Sequence, residues 1–137
     1  MNRLLLPEPM SNAMTESVEP GYFDPSLLEA LRSMQMPGEP DLMQEVINAF
    51  VDDSGVRLVR AQDELGRGDF ENLSRTAHVM KGSASVIGAV HMSRLAGRLE
   101  LTSKAGNASE AAAIIAEIGS AFVRTRSLLE SVSRTGG

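Results

Sequence analysis

At 137 residues the chain is the size of one domain with a single core. Hydrophobic residues make up 42% of it but aromatic ones only 4%, so the core must be built from Leu, Val, Ile, Met and Ala, which suits helix-on-helix packing better than a sheet sandwich. A net charge of −5 argues against a general nucleic-acid binder, and the lack of cysteine excludes disulfides and thiolate metal sites, in keeping with the cytoplasm.

Residues 1–21 carry no hydrophobic period. The apolar run Leu4 to Leu6 is cut by Pro7 and Pro9 and is too short for a signal peptide, so a disordered tail is expected. Ser11-Asn12-Ala13 directly before Met14 resembles the residue of a cleaved purification tag, which would put the native start at Met14. Asp24 before Pro25 is a helix start, a capping side chain followed by proline at the first helical position. Leu27, Leu28, Leu31 and Met34 give this short helix its apolar stripe, and Pro37-Gly38-Glu39-Pro40 ends it.

Asp41 then caps a long helix, with Gln44 placed to reach back as in a capping box. Leu42, Val46, Ile47, Phe50, Leu58, Ala61 and Leu65 are its expected inward face, and Gly66 and Gly68 stop it. Asp69 caps the next helix, which should run to about Ile87 before Gly88 lets the chain turn. A fourth helix, buried through Met92, Leu95, Ala96 and Leu99, reaches about Lys104. Gly106 ends it, and Asn107 with Glu110 caps the last helix, whose core residues are Ile115, Ile118, Phe122, Leu128 or Leu129, and Val132. Short loops between long helices imply antiparallel neighbours. The fold is therefore read as all-α, an antiparallel up-down four-helix bundle over residues 22–132 with a short additional N-terminal helix across one end, and 133–137 as a second tail.

The helix after Asp69 holds the candidate site. Leu73, Ala77, Met80, Ala84 and Ile87 recur at steps of four and three, the spacing of a buried stripe, and His78 lies off it. Ser74 and Arg75 one turn before, Lys81 and Gly82 one turn after, and Ser85 two turns after share its face. The imidazole is thus expected in water between two cations, Arg75 and Lys81. Positive charge nearby disfavours imidazolium, keeps the ring a neutral nucleophile, and would stabilise an anion attached to it, phosphoryl above all. Glycine inside a helix costs roughly 1 kcal/mol relative to alanine, so Gly82 needs a local reason, and a cleared path to the ring supplies one. Residues 67–104 hold six basic side chains (Arg67, Arg75, Lys81, Arg94, Arg98 and Lys104) against the acidic Asp69, Glu71 and Glu100, a bias that would steer an acidic partner toward His78. His91 is expected to be an ordinary exposed side chain at the start of the fourth helix. It makes no metal-binding spacing with His78, and no other catalytic or nucleotide-binding constellation stands out.

The run A-H-V-M-K-G-S-A-S-V-I-G-A, followed by M-S-R-L-A-G-R-L-E, resembles the signature of histidine-containing phosphotransfer (HPt) domains. The matching positions are His78, Met80, Lys81, Gly82, Ser83, Ala84, Gly88, Ala89, Met92, Leu95, Leu99 and Glu100, with Met80 and Met92 standing where leucine is commoner. The resemblance implies a four-helix bundle in which the Nε2 atom of His78 accepts the phosphoryl group, Lys81 balances its charge, and Gly82 leaves room for a receiver domain. It also implies that the chain is a carrier with no cofactor and no kinase domain of its own, the receiver supplying Mg²⁺. The partners are then receiver domains of a hybrid histidine kinase or response regulator, met by a cytoplasmic monomer; Arg75 and Ser85 complete the expected site. Two other readings are a phosphoacceptor domain of a larger chemotaxis-type histidine kinase, and a helical interaction module whose histidine is incidental. The tail before Tyr22 and the Ser-Arg-Thr-Gly-Gly end read as termini, which favours a free-standing protein over the first of these.

Overall fold

The computed structural model describes residues 21–135, and within them every regular element is helical: α1 Ser26–Met34, α2 Leu42–Gly66, α3 Phe70–Ile87, α4 Val90–Lys104 and α5 Ala108–Thr135. Helices α2 to α5 pack each on the next in sequence, α5 closes the ring against α2, and α1 lies on α2 and α3. This is the all-α four-helix bundle with a short extra helix that the periodicity predicts. Residues 1–20 and 136–137, most of the two expected tails, lie outside the described residues. Helix α5 carries three residues past the expected boundary at 132, and Gly21 is held by a hydrogen bond from Arg94 to its carbonyl (3.1 Å).

Asp41, Asp69 and Asn107 cap their helices as expected, whereas the N-cap of α1 is Pro25, one residue later than expected, with no side-chain cap bond of its own. Asp24 accepts from the Ser26 N–H (3.0 Å), Asp41 from the Gln44 N–H (3.1 Å), Asp69 from the Asn72 N–H (3.2 Å), and Asn107 from the Glu110 N–H (3.1 Å). Each satisfies a donor that the helix itself leaves unpaired. Gln44 does not close a capping box: its amide donates to Asn48 (2.9 Å) and its oxygen accepts from Ser133 (2.6 Å), tying α2 to the end of α5.

The α3 stripe is buried throughout, Leu73 and Ala77 completely, and it meets Met92, Leu95, Ala96 and Leu99 of α4. Removing a leucine or isoleucine side chain of this size from water is worth about 1.5–3 kcal/mol. The last helix contributes Ala111, Ile114, Ile115, Ile118, Ala121 and Leu129, so of the two candidate leucines it is Leu129 that is fully buried. Met34, expected in the α1 stripe, is exposed, while Met43 takes the inward position that the pattern gave to Leu42. Ser54, Glu64 and Thr125 are buried although polar; the Glu64 carboxylate accepts a hydrogen bond from Thr76 (2.8 Å), a polar tie between α2 and α3 that apolar periodicity does not register.

The α3–α4 turn is fixed from outside. Gly88 is left-handed (φ 90°), and its carbonyl accepts from the Asp24 N–H (2.7 Å). A Cβ on it would lie on top of the Asp24 carbonyl oxygen, so the close approach of two backbones requires glycine here as much as the dihedral does. Beyond it, the His91 N–H donates to the Tyr22 carbonyl (3.0 Å), the two rings stack at 4.7 Å, and Arg124 also lies over the tyrosine ring. His91 is therefore half-buried and structural, not the exposed side chain the sequence suggested.

Candidate functional site

Across the turn, α3 and α4 run antiparallel, so residues equally far from Ala89 face each other. His78 meets Glu100, Lys81 lies over Gly97, and Ser85 meets Ser93. The His78 side chain is 65% exposed, and its Nδ1 lies 3.2 Å from Glu100 Oε2. The same carboxylate takes the Lys81 ammonium on Oε1 (3.2 Å) and the Lys104 ammonium on Oε2 (3.4 Å), and it is itself mostly covered. Burial alone would raise the Glu100 carboxyl; the hydrogen bond and charge of Lys81, then Lys104 and His78, outweigh it and hold the group below its ordinary value. Glu100 is thus ionised at neutral pH and can only accept hydrogen bonds. The proton of the neutral imidazole then belongs on Nδ1, which leaves the Nε2 lone pair directed away from the carboxylate. Nε2 has no hydrogen-bond partner among the described residues.

The predicted site residues separate. Lys81 is at the ring, as a partner of Glu100. Gly82 opens onto empty space: a Cβ there would meet nothing within 4 Å. Arg75 pairs with Glu71 (2.9 Å), one turn back and exposed, while still lining the groove beside the ring. The Ser85 hydroxyl is spent on Ser93 (2.6 Å), whose own oxygen is 3.1 Å from the Lys81 carbonyl, so it fastens α3 to α4. The imidazole therefore sits beside a carboxylate bridged by two lysines, not between Arg75 and Lys81 as the helical wheel suggested. The regional basic surplus is likewise engaged elsewhere, Arg67 with Asp63, Arg94 with the Gly21 carbonyl, and Arg98 with Glu117. Sequence reasoning missed Glu100 as the histidine's partner, together with Lys104 and Ser93.

Two recesses flank the histidine. A groove of about 680 Å³ between α3 and α4 is lined by Phe70, Ser74, Val79, Ser103 and Lys104 around His78 and Glu100. On the other side, about 480 Å³ between α2 and α3 is lined by Val46, Phe50, Val79, Gly82 and Val86, with Val79 and Val86 exposed. An exposed nucleophilic nitrogen, a neighbouring lysine and an apolar shelf with no side chain at its centre make a surface that can take a small anionic group delivered by another macromolecule.

The chain is similar to known proteins in sequence and in fold. Histidine-containing phosphotransfer protein 2 of Arabidopsis thaliana is 35% identical over 79 residues, 55% of this chain and 49% of that protein, so the match spans about half the length of the relative. The crystal structure of histidine-containing phosphotransfer protein B from Pseudomonas aeruginosa PAO1 superposes with a TM-score of 0.72 at 27% identity, covering 85% of this chain and 98% of that one. A histidine-containing phosphotransfer protein from maize gives a TM-score of 0.76 over 93% and 94% of the two chains, and at 20% identity it speaks for the fold alone. The family model for the Hpt domain matches residues 45–134, from the second turn of α2 to the end of α5 and across both His78 and Glu100, and the chain belongs to that family.

Proposed function

We propose that the protein is a phosphorelay carrier of two-component signalling in which His78 takes a phosphoryl group from the phospho-aspartate of a receiver domain and hands it to the aspartate of another. The Nε2 lone pair attacks phosphorus; the N–P bond forms as the P–O bond to the aspartate breaks, and the carboxylate leaves with the electron pair. The ring becomes cationic as it loses its lone pair, and its Nδ1–H still points at Glu100. The reverse sequence at a second receiver restores the neutral ring. The observation that carries this reading is the Nδ1–Glu100 contact, which fixes the tautomer and orientation of an otherwise exposed imidazole so that the other nitrogen is the nucleophile.

Lys81 shares Glu100 with the ring and supplies positive charge for the incoming phosphoryl oxygens. Gly82 and the valines beside it offer the receiver a flat apolar contact. Arg75 contributes charge at the groove rim, and Ser85 acts at one remove by fixing the helix pair. In this reading the chain is a monomeric cytoplasmic carrier and not a kinase, it binds no cofactor, and the receivers bring Mg²⁺ and the rest of the transfer machinery. No described helix is long and apolar enough to cross a membrane. The test is transfer from a panel of phosphorylated receiver domains: the label should be acid-labile and alkali-stable and should vanish in a folded His78→Gln variant. Full labelling of that variant, or a label on His91, would overturn the assignment.

A further inference from the structure

Gly97 lies on α4 in the middle of a stripe formed by Ser93, Gly97 and Glu100, the i, i+4 and i+7 positions of one helix face. All three members address one residue of α3. The Ser93 hydroxyl donates to the Lys81 main-chain carbonyl (3.1 Å), the Lys81 stem crosses Gly97, and the Lys81 ammonium ends on Glu100 Oε1 (3.2 Å). A Cβ built on Gly97 would stand 3.3 Å from Lys81 Cδ, closer than ordinary carbon contact. Gly97 is within a helix and is not among the positive-φ glycines, so the backbone places no demand for glycine there, and helix propensity disfavours it against alanine.

We propose that Gly97 is a positioning residue for the histidine site: the missing side chain is the channel along which Lys81 crosses α4 to clamp Glu100, and through Glu100 to hold His78. A larger residue at 97 lifts the lysine stem away from the helix and draws its ammonium off the carboxylate. The other neighbours of Glu100, Lys104 on its own helix and His78 across the pair, stay in place. The consequence for phosphoryl transfer rests on the carrier reading above, but the clamp itself does not.

The clamp is tested without phosphate, by ¹³C NMR titration of the Glu100 side-chain carboxyl in the parent, Gly97→Ala and Gly97→Leu proteins, each with and without Lys81→Met. Losing the lysine's hold should move the Glu100 midpoint upward, slightly in Gly97→Ala and most in Gly97→Leu. In the Lys81→Met background both Gly97 variants should titrate as Lys81→Met alone, because the residue acts only through the lysine. A folded Gly97→Leu protein with the parent's midpoint, or a shift that survives in Lys81→Met, would overturn the proposal. If Gly97→Leu does not fold, the alanine pair decides in the same way. Parallel measurement of His78 labelling separates the two readings: failed labelling with the expected titration overturns the carrier and leaves the clamp standing.

Discussion

Two places on α3 and its exit carry the same pair of residue types for opposite reasons. At the turn, Gly88 and His91 belong to the fold: the glycine has a left-handed backbone and no room for a Cβ, and the histidine is stacked and half-buried. On the solvent face, Gly82 has ordinary helical geometry and open space, and His78 is exposed with one side-chain partner. Glycine at 88 is required from inside the molecule, whereas at 82 nothing inside the molecule asks for it. A residue with poor helix propensity and no internal use is where a contact from outside is to be sought.

The contrast breaks first at Gly88, where the largest effect on stability is expected. Alanine there must adopt a left-handed conformation and push Asp24 away, losing the Asp24–Gly88 hydrogen bond. Left-handed strain and one lost hydrogen bond together cost roughly 2–3 kcal/mol. For a domain of this size Gly88→Ala should lower the melting temperature by about 10 °C while His78 in the remaining folded protein still labels. A parent-like melting temperature would place both glycines in the same class.

A smaller effect sharpens the electrostatic side. Because the folded Glu100 carboxyl titrates below its ordinary value, the stability it supplies is full above the unfolded glutamate value of about 4.3 and fades as pH falls through the lower folded value. Its lysine partners are both partly open to solvent, which limits the contribution to about 1 kcal/mol or less. Urea unfolding of the parent and Glu100→Gln proteins should differ at neutral pH and converge in acid. A gap that stays constant down to the lowest pH would mean that the carboxylate charge is not what stabilises.

Much of this was open to view in the sequence. The α3 stripe, the caps of α2, α3 and α5 and the Gly88 turn follow from local chemistry, and local chemistry is what a sequence displays. A helical wheel sees only one helix, and so it misses what surrounds His78. Arg75 and Lys81 lie near the histidine in register, yet the decisive neighbour, Glu100, is on α4. The signal was present in the turn: once Gly88-Ala89 is taken as the pivot of an antiparallel pair, residues 78 and 100, 81 and 97, and 85 and 93 are matched by counting outward. The burial of Glu64 against Thr76 had no such signal, since it depends on the rotation of α2 against α3 across a longer connection.

The finest test of the contrast is at Gly82, where the fold and the proposed function pull in opposite directions. Nothing stands within 4 Å of the position a Cβ would take, so alanine should fit without strain and stabilise α3 by up to about 1 kcal/mol through helix propensity alone. If the space is kept for a receiver, that same methyl group stands one turn from the nucleophilic ring, on the shelf with Val79 and Val86. Phosphoryl transfer tolerates little displacement of its reacting atoms, so transfer should slow as the side chain grows. Gly82→Ala is expected to melt no lower than the parent and to transfer more slowly, and Gly82→Leu to fold and lose most transfer. Phosphorylation of His78 by a small donor such as phosphoramidate, which needs no docking surface, should be unaffected in both. A leucine variant that is folded and accepts from a receiver at the parent rate would show that Gly82 is merely tolerated, and the contrast with Gly88 would then concern stability alone.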